Sequence, residues 1–238
     1  SSNSGFRLVE GVSEIPKNLR IIANLGHKLE ITEALVSTDK RILVTGSADG
    51  NIKVWEIKTG KLIYTLKGHR AAIRSLALSP NGRQLISASQ WCGIRIWDIQ
   101  KGEILVAPRE DVYEPRGGCS AGTVSFSTDG KLGIATSFGF SDDGALEIYK
   151  ISDGSLTKKL NIVDYDHVEA SAMTNKNQLL LAYSNTKYGK NQTMISITQA
   201  DTNRVVRYIQ VKGYVMKAQF YGANASQLIT RTESETVL

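Results

Sequence analysis

The sequence predicts an all-β fold made from a repeated unit of 42 residues. Its apolar segments are short, alternate with polar residues and are separated by turn residues, as is typical of antiparallel strands. Two copies of one pattern recur at the same spacing, and no segment shows a sustained helical period. Together these observations indicate a series of small β-sheets that follow one another along the chain.

The two clearest copies each begin at a Gly-His pair and end at a tryptophan followed by an acidic residue. His27 precedes Trp55 by 28 residues, and His69 precedes Trp97 by the same distance. The apolar segments between these anchors correspond as well, and each tryptophan is followed by a glycine turn. The agreement is too extensive to arise by chance, so the unit is a true repeat.

This pattern resembles the WD-repeat family, in which each repeat of about 40–45 residues forms one four-stranded blade of a β-propeller. The resemblance implies a β-propeller of four-stranded antiparallel blades, with about five blades in this chain. The family's usual ring has about seven blades. Three explanations stay open: a ring of five blades, residues missing from this chain, or blades supplied by a partner. The second is favoured.

Weaker copies continue towards the C-terminus. Tyr149 stands where Trp97 stood, but 52 residues later, so about ten residues have been inserted into the third copy. We expect a leader at 1–17 and then a single propeller domain, 18–238. Its expected blades are 27–66, 69–106, 113–160, 163–210 and 214–238, with strand 18–25 completing the last one, because such closure avoids an open sheet edge.

The resemblance implies a structural role for the histidines and tryptophans of the repeat. In the family, the histidine hydrogen-bonds a Ser or Thr on the second strand, an Asp of the next turn joins it, and the tryptophan closes the network. In the first copy these residues are His27, Asp49 and Trp55, with Thr45 or Ser47 as the hydroxyl. A buried network of this kind specifies one blade geometry.

The second copy supplies His69 and Trp97 but departs from this pattern. Trp91 stands at the place of Asp49, so His69 is expected to lack a carboxylate partner. Replacing Trp91 with Asp is therefore expected to be neutral or stabilising. Two interpretations of Trp91 stay open: the ring folds back onto the neighbouring blade, or it is an exposed anchor for a partner.

Aromatic residues in the loops are predicted to gather on one rim of adjacent blades. The turns between second and third strands open on the same face as the loops that lead into first strands. The predicted partner-binding residues of this rim are Trp91, Tyr113, Phe138, Phe140, Tyr188, Arg70 and Arg116. Aromatic anchors within a polar surround are typical of protein-binding surfaces. The alternative is a set of unconstrained surface loops.

Composition and motifs narrow the function. The net charge of +6 comes from scattered residues rather than from a basic run, which favours a solvated surface. Nucleotide-binding and metalloprotease motifs are absent, so we expect no catalytic residues, cofactor, metal or small-molecule substrate. No apolar stretch is long enough to span a membrane. Cys92 and Cys119 are expected to be reduced thiols in a cytoplasmic protein, with a single disulfide and a nuclear location as the alternatives.

The sequence therefore predicts a non-catalytic scaffold, a subunit of a larger complex that binds protein partners on its loop-rich face. One alternative is a propeller that binds RNA or phosphoinositide, which requires basic residues clustered on one face. The rim candidates for that role are Arg70, Arg116, Lys187 and Lys190. Another alternative is an accessory domain of a multi-domain enzyme or signalling ATPase.

Overall fold

The fold is all-β, as a computed structural model of the chain shows. The structure describes residues 26–111, 119–138, 144–162, 167–174, 178–185, 192–199, 204–211, 215–221, 227–232 and 236–237. Strands and turns account for the regular secondary structure of these residues, and none of them lies in a helix that could span a membrane.

The strands form successive antiparallel sheets in which neighbours along the chain pair with one another. Blade 1 contains β1 (Ile31–Val36), β2 (Ile42–Ser47), β3 (Ile52–Glu56) and β4 (Leu62–Leu66). Blade 2 contains β5 (Ile73–Leu78), β6 (Gln84–Ser89), β7 (Ile94–Asp98) and β8 (Glu103–Arg109). Blade 3 contains β9 (Ser120–Phe126), β10 (Leu132–Phe138), β11 (Gly144–Lys150) and β12 (Leu156–Ile162).

The last two sheets continue the same order. Blade 4 contains β13 (His167–Met173), β14 (Gln178–Asn185), β15 (Gln192–Gln199) and β16 (Arg204–Val211). Blade 5 contains β17 (Val215–Tyr221), β18 (Gln227–Thr232) and β19 (Thr236–Val237). The predicted closing strand 18–25 lies outside the described residues, so that closure and the size of the ring stay predictions.

The turns between first and second strands share one chemistry in blades 1, 2 and 3. In blade 2, the Ser79 hydroxyl donates a hydrogen bond to the Asn81 side chain at 2.7 Å and accepts one from the Gln84 amide. The residue that follows Asn81 is Gly82, whose φ of 67° is left-handed and therefore suits glycine. Repetition of this turn in each copy fixes the register of the two strands that it joins.

The hydrophobic core lies between blades rather than within one sheet. The first strands of the blades, β1, β5, β9, β13 and β17, contact one another in that order. One buried cluster joins blades 1 and 2 and includes Val54, Ile73 and Trp97. A second joins blades 2 and 3, and a third joins blades 3 and 4. Each blade is therefore stabilised by its neighbours, and residues at a blade interface affect two blades at once.

Candidate functional site

Blade 1 contains a hydrogen-bond network between its own second and third strands and the loop that precedes it. The Trp55 indole donates to the Thr45 hydroxyl at 2.9 Å, and that hydroxyl lies 2.9 Å from His27 Nε2. His27 Nδ1 lies 3.3 Å from the Asp49 carboxylate. A neutral His27, the form that its lowered pKa favours, fits these contacts when the Thr45 hydroxyl donates to Nε2 and Nδ1–H donates to Asp49. His27 in this arrangement is neutral.

Blade 2 contains the same network with a carboxylate from a different part of the chain. The Trp97 indole donates to Ser87 at 2.8 Å, and the Ser87 hydroxyl lies 2.7 Å from His69 Nε2. His69 Nδ1 lies 3.2 Å from the carboxylate of Asp111. The prediction that His69 lacks a carboxylate partner is therefore wrong.

The path of the chain after β8 explains this correction. β8 ends at Arg109, so the β8–β9 loop begins at the rim and brings Asp111 against the turn between β6 and β7. Gly93 in that turn leaves room for it, because a Cβ atom at this position would lie 2.5 Å from the nearer Asp111 oxygen. The absence of a side chain at Gly93 is the one sequence signal that could have suggested a nearby group.

Charged groups extend the blade 2 network across the blade boundary. Arg95, on β7, donates to Asp111 at 2.8 Å and to Glu110 at 2.7 Å. The Asp111 side chain is completely buried, and it also accepts a hydrogen bond from the Ser89 hydroxyl. Glu110 by contrast is 69% exposed. Asp111 therefore joins three groups of blade 2 to the loop that leads into blade 3.

A disulfide adds a covalent link at the same place. Cys92, in the β6–β7 turn, is bonded to Cys119, directly before β9, with 5.7 Å between the Cα atoms. The expectation of two reduced thiols is wrong in this structure. The physical reason is the position of Cys119 against the β6–β7 turn, which brings together residues 27 positions apart in the sequence. Sequence spacing alone carries no information on that position.

Burial and hydrogen bonding set the ionisation of these groups. Burial lowers the pKa of His69, although the hydrogen bond to Asp111 and the charge of Asp111 act to raise it. Burial likewise lowers the pKa of His27, against the charge of Asp49 and the hydrogen bond to it. Burial alone would raise the pKa of Asp111, but hydrogen bonds from His69 and Ser89 outweigh it, so that this pKa is lowered. Neutral histidines and ionised carboxylates agree with the hydrogen-bond directions given above.

Blade 3 replaces the histidine network with another buried polar cluster. Tyr149, at the place of the tryptophan, donates to Glu147 on the same strand, and burial raises the pKa of its hydroxyl. Arg109, the last residue of β8, donates to Glu147 at 2.9 Å. Its second terminal nitrogen lies 3.3 Å from the sulfur of Cys119. This cluster too crosses from blade 2 to blade 3 and ends at the disulfide.

The predicted rim residues differ in their placement. Trp91 is partly buried in the β6–β7 turn, and Arg70 is exposed in the β4–β5 loop. The two segments adjoin, because the amide of Gln90 donates to the carbonyl of Ala72 at 2.8 Å. The remaining loop candidates, Tyr113, Arg116, Phe140 and Tyr188, lie outside the described residues.

Phe138 ends β10 at the corresponding end of blade 3, within a strand and not in the turn. Its ring is partly buried and packs against the cluster between blades 3 and 4. A Cβ atom on Gly122 would lie 2.6 Å from this ring, so the glycine of β9 provides the space that the ring fills. Phe138 therefore contributes to the packing between blades 3 and 4, and its role in binding a partner stays a prediction.

The described residues contain no group of three or more His, Cys, Asp or Glu side chains that could hold a metal ion. The hydrogen-bonded histidines each use both ring nitrogens within their networks. What this rim offers chemically is a rigid arrangement of a tryptophan, an exposed arginine and an exposed glutamate.

Comparison with known proteins agrees with this geometry. The family model of the WD domain, G-beta repeat, matches residues 19–56 and 60–98. Each match ends at the acidic residue after the network tryptophan, at Glu56 and Asp98. A search of curated proteins finds no match to the chain. WD repeats generally mediate protein–protein interactions, and proteins that contain them are typically non-catalytic scaffolds. Residues 19–56 and 60–98 are therefore WD repeats, and the four-stranded antiparallel sheets of the chain are consistent with the blades of a WD-repeat β-propeller.

Proposed function

We propose that this protein is a non-catalytic scaffold that binds a protein partner within a larger complex, through the rim of blades 2 and 3. The rim is defined here by the β4–β5 loop, the β6–β7 turn and the described start of the β8–β9 loop. One observation carries the proposal: the two described ends of the β8–β9 loop are fastened to blade 2, Cys119 by a disulfide to the β6–β7 turn and Asp111 by a buried ion pair to Arg95 of β7.

A fastened rim favours binding because few groups lose freedom when a partner docks. Ordering of loops and side chains is a main cost of association, and preorganisation reduces it. The start of the loop is held from beneath by the ion pair between Arg95 and Asp111, whose side chains are 6% and 0% exposed. The exposed groups above them, Arg70 and Glu110, provide charges of opposite sign for recognition.

Trp91 is the proposed central contact of this rim. Tryptophan is enriched among residues that dominate binding energies, typically within a polar surround. Its turn is held on both sides: Gln90 donates to Ala72, and Cys92 is bonded to Cys119. The ring is therefore presented by a backbone whose position is already fixed before binding.

The partner can be captured by a photo-crosslinking residue at position 70. The same residue at position 83, in the β5–β6 turn at the opposite end of blade 2, provides the control. Arg83 is exposed and is a cleaner control than Asn81 or Asp129, whose side chains accept the turn hydrogen bonds. Crosslinks from position 70 and none from position 83 are expected, followed by identification of the partner by mass spectrometry.

Affinity for the purified partner then tests the role of Trp91. Trp91→Ala should weaken binding by about 30-fold or more, equivalent to about 2 kcal/mol, if the ring is a hot spot. Arg83→Ala should leave affinity unchanged, and thermal unfolding should show that both variants are folded. Equal affinity of the wild-type and Trp91→Ala proteins would place the binding surface elsewhere.

A further inference from the structure

The two sulfurs of the disulfide lie in unequal surroundings. Cys92 is 1% exposed, and its turn lies against Asp111. Cys119 is partly exposed, at the start of β9. Because thiol–disulfide exchange begins with attack of a thiolate on one sulfur, access selects which sulfur is attacked. Here Cys119 is the one that an incoming thiolate can reach.

A guanidinium group lies beside this accessible sulfur. The Arg109 terminal nitrogen is 3.3 Å from Cys119 Sγ, whereas the other terminal nitrogen is bound to Glu147 at 2.9 Å. Glu147 also lies 3.5 Å from Lys159 Nζ, so its negative charge is shared between two cations. Arginine next to a thiol stabilises the thiolate, which is the reactive form. The position of Arg109 thus favours the step of exchange in which Cys119 is released as a thiolate.

We infer that Cys92 and Cys119 form a reversible redox site, opened by a dithiol reductant that attacks Cys119. This inference does not depend on the proposed binding function. The reductant thiolate forms a bond to Cys119 Sγ as the Cys92–Cys119 bond breaks, and the Cys92 thiolate takes up a proton. The second thiol of the reductant then attacks the reductant sulfur that is bonded to Cys119, and Cys119 is released as a thiolate. Once the Cys119 thiolate has also taken up a proton, two electrons and two protons have passed to the cysteine pair, and the dithiol has become a disulfide.

The reduced chain is expected to stay folded, because the hydrogen bonds and ion pairs that Asp111 and Arg109 make to other side chains do not involve the disulfide bond. Asp111 keeps its bonds to His69 and Arg95, and Arg109 keeps its bond to Glu147. Reduction removes one of the links between the β6–β7 turn and β9. The two redox states therefore differ in the covalent link between the β6–β7 turn and the start of β9, and not in the fold of the blades.

The first experiment reduces the intact protein under native conditions. The chain is incubated with graded dithiothreitol, quenched by alkylation and analysed by mass spectrometry, while circular dichroism monitors its fold. Alkylation of both cysteines in a chain that remains folded is the expected result. Reduction only at urea concentrations that unfold the chain would show a purely structural bond and would overturn the inference.

The second experiment tests the asymmetry and Arg109. At pH 7, Cys119 in the Cys92→Ser variant should react with iodoacetamide at least about tenfold faster than Cys92 in the Cys119→Ser variant, since accessible thiolates react selectively. Adding Arg109→Gln to Cys92→Ser should slow alkylation severalfold, whereas Arg109→Lys should retain part of the rate and Arg83→Gln all of it. Faster reaction of Cys92, or no effect of Arg109→Gln, would contradict the mechanism.

Discussion

Blades 1 and 2 contain the same hydrogen-bond network but obtain its carboxylate differently. In blade 1, Asp49 lies in the turn between β2 and β3, within the same blade as Thr45 and Trp55. In blade 2, Asp111 comes from the loop that leads to the next blade, 42 residues after His69. The chemical group is kept, while its position relative to the histidine has moved by 20 residues, about half of one repeat.

The difference shows that the network is defined in space and not by the repeat alone. A carboxylate within the turn stabilises one blade, whereas a carboxylate from the next loop also ties two blades together. In blade 2, Arg95 also donates a hydrogen bond to the buried Asp111 carboxylate at 2.8 Å. In blade 1 the corresponding residue is Lys53, whose ammonium donates to Thr65 on the neighbouring strand instead. Asp111, which comes from the loop towards blade 3, is thus paired with a cation of blade 2, Arg95.

The largest effect is expected when Asp111 is replaced with Ala. The substitution leaves His69 without its carboxylate and removes one of the two anionic partners of the buried Arg95. Breaking a buried charge pair from one side typically costs about 3–5 kcal/mol. Urea unfolding should therefore show a loss of about 3 kcal/mol or more, and hydrogen exchange should increase in both blades 2 and 3. Increased exchange confined to blade 2 would argue against the cross-blade role.

Asp49→Ala should have a smaller effect, limited to blade 1. The carboxylate accepts bonds from the amides of Lys28 and Asn51 and from His27, with no cation held as Arg95 is held by Asp111. Leaving such donors unpaired costs about 1–3 kcal/mol. Urea unfolding gives the loss, with exposed Lys58→Ala in the β3–β4 turn as control. A loss that equals that of Asp111→Ala would remove the energetic distinction between the two networks.

The contacts that could be predicted from the sequence are those set by local register. The spacing of His27, Thr45 and Trp55 repeats at 42 residues because the same strand pairing recurs, and the structure places these side chains in hydrogen-bond contact. The Asp111 contact and the disulfide depend on the path of an inserted loop, which no periodicity describes. Phe138 was assigned to the rim by its place in a loop pattern, but β10 includes it and its ring packs inwards.

Acid should destabilise the protein in two stages. Because the pKa values of His27 and His69 are lowered below 6.5 in the folded state, the unfolded chain binds protons first as the pH falls. The stability contributed by each neutral histidine is complete above that pH and is lost as the pH decreases from about 6.5 towards the folded-state pKa, by at most about 1.4 kcal/mol per pH unit. Asp49 and Asp111, whose pKa values are lowered from 3.8, add a second loss below that value.

Urea unfolding at pH 7.5, 6.5 and 5.5 measures the first stage. Replacing both histidines with Gln should reduce the dependence of the unfolding free energy on pH in this range, since neither side chain then titrates. The variant is less stable at pH 7.5, so the slope and not the absolute free energy is the quantity to compare. An unchanged slope would show that other groups dominate the acid response.

The smallest and most discriminating effect is expected from an Asp at position 91, the place that Asp49 occupies in blade 1. The sequence predicted that Trp91→Asp would be neutral or stabilising. With Asp111 already bound to His69, a second carboxylate at the same turn adds like-charge repulsion, so the single variant should lose about 1 kcal/mol. In the Asp111→Ala background the repulsion is absent, and Trp91→Asp should instead recover about 1 kcal/mol by restoring one hydrogen bond to His69.

Urea unfolding of the wild type, the two single variants and the double variant gives the coupling free energy between positions 91 and 111 directly. An opposite sign of the Trp91→Asp effect in the two backgrounds would show that the network needs a carboxylate from either origin. Equal destabilisation in both would show that the Trp91 ring is required for packing and that the two carboxylate positions are not interchangeable.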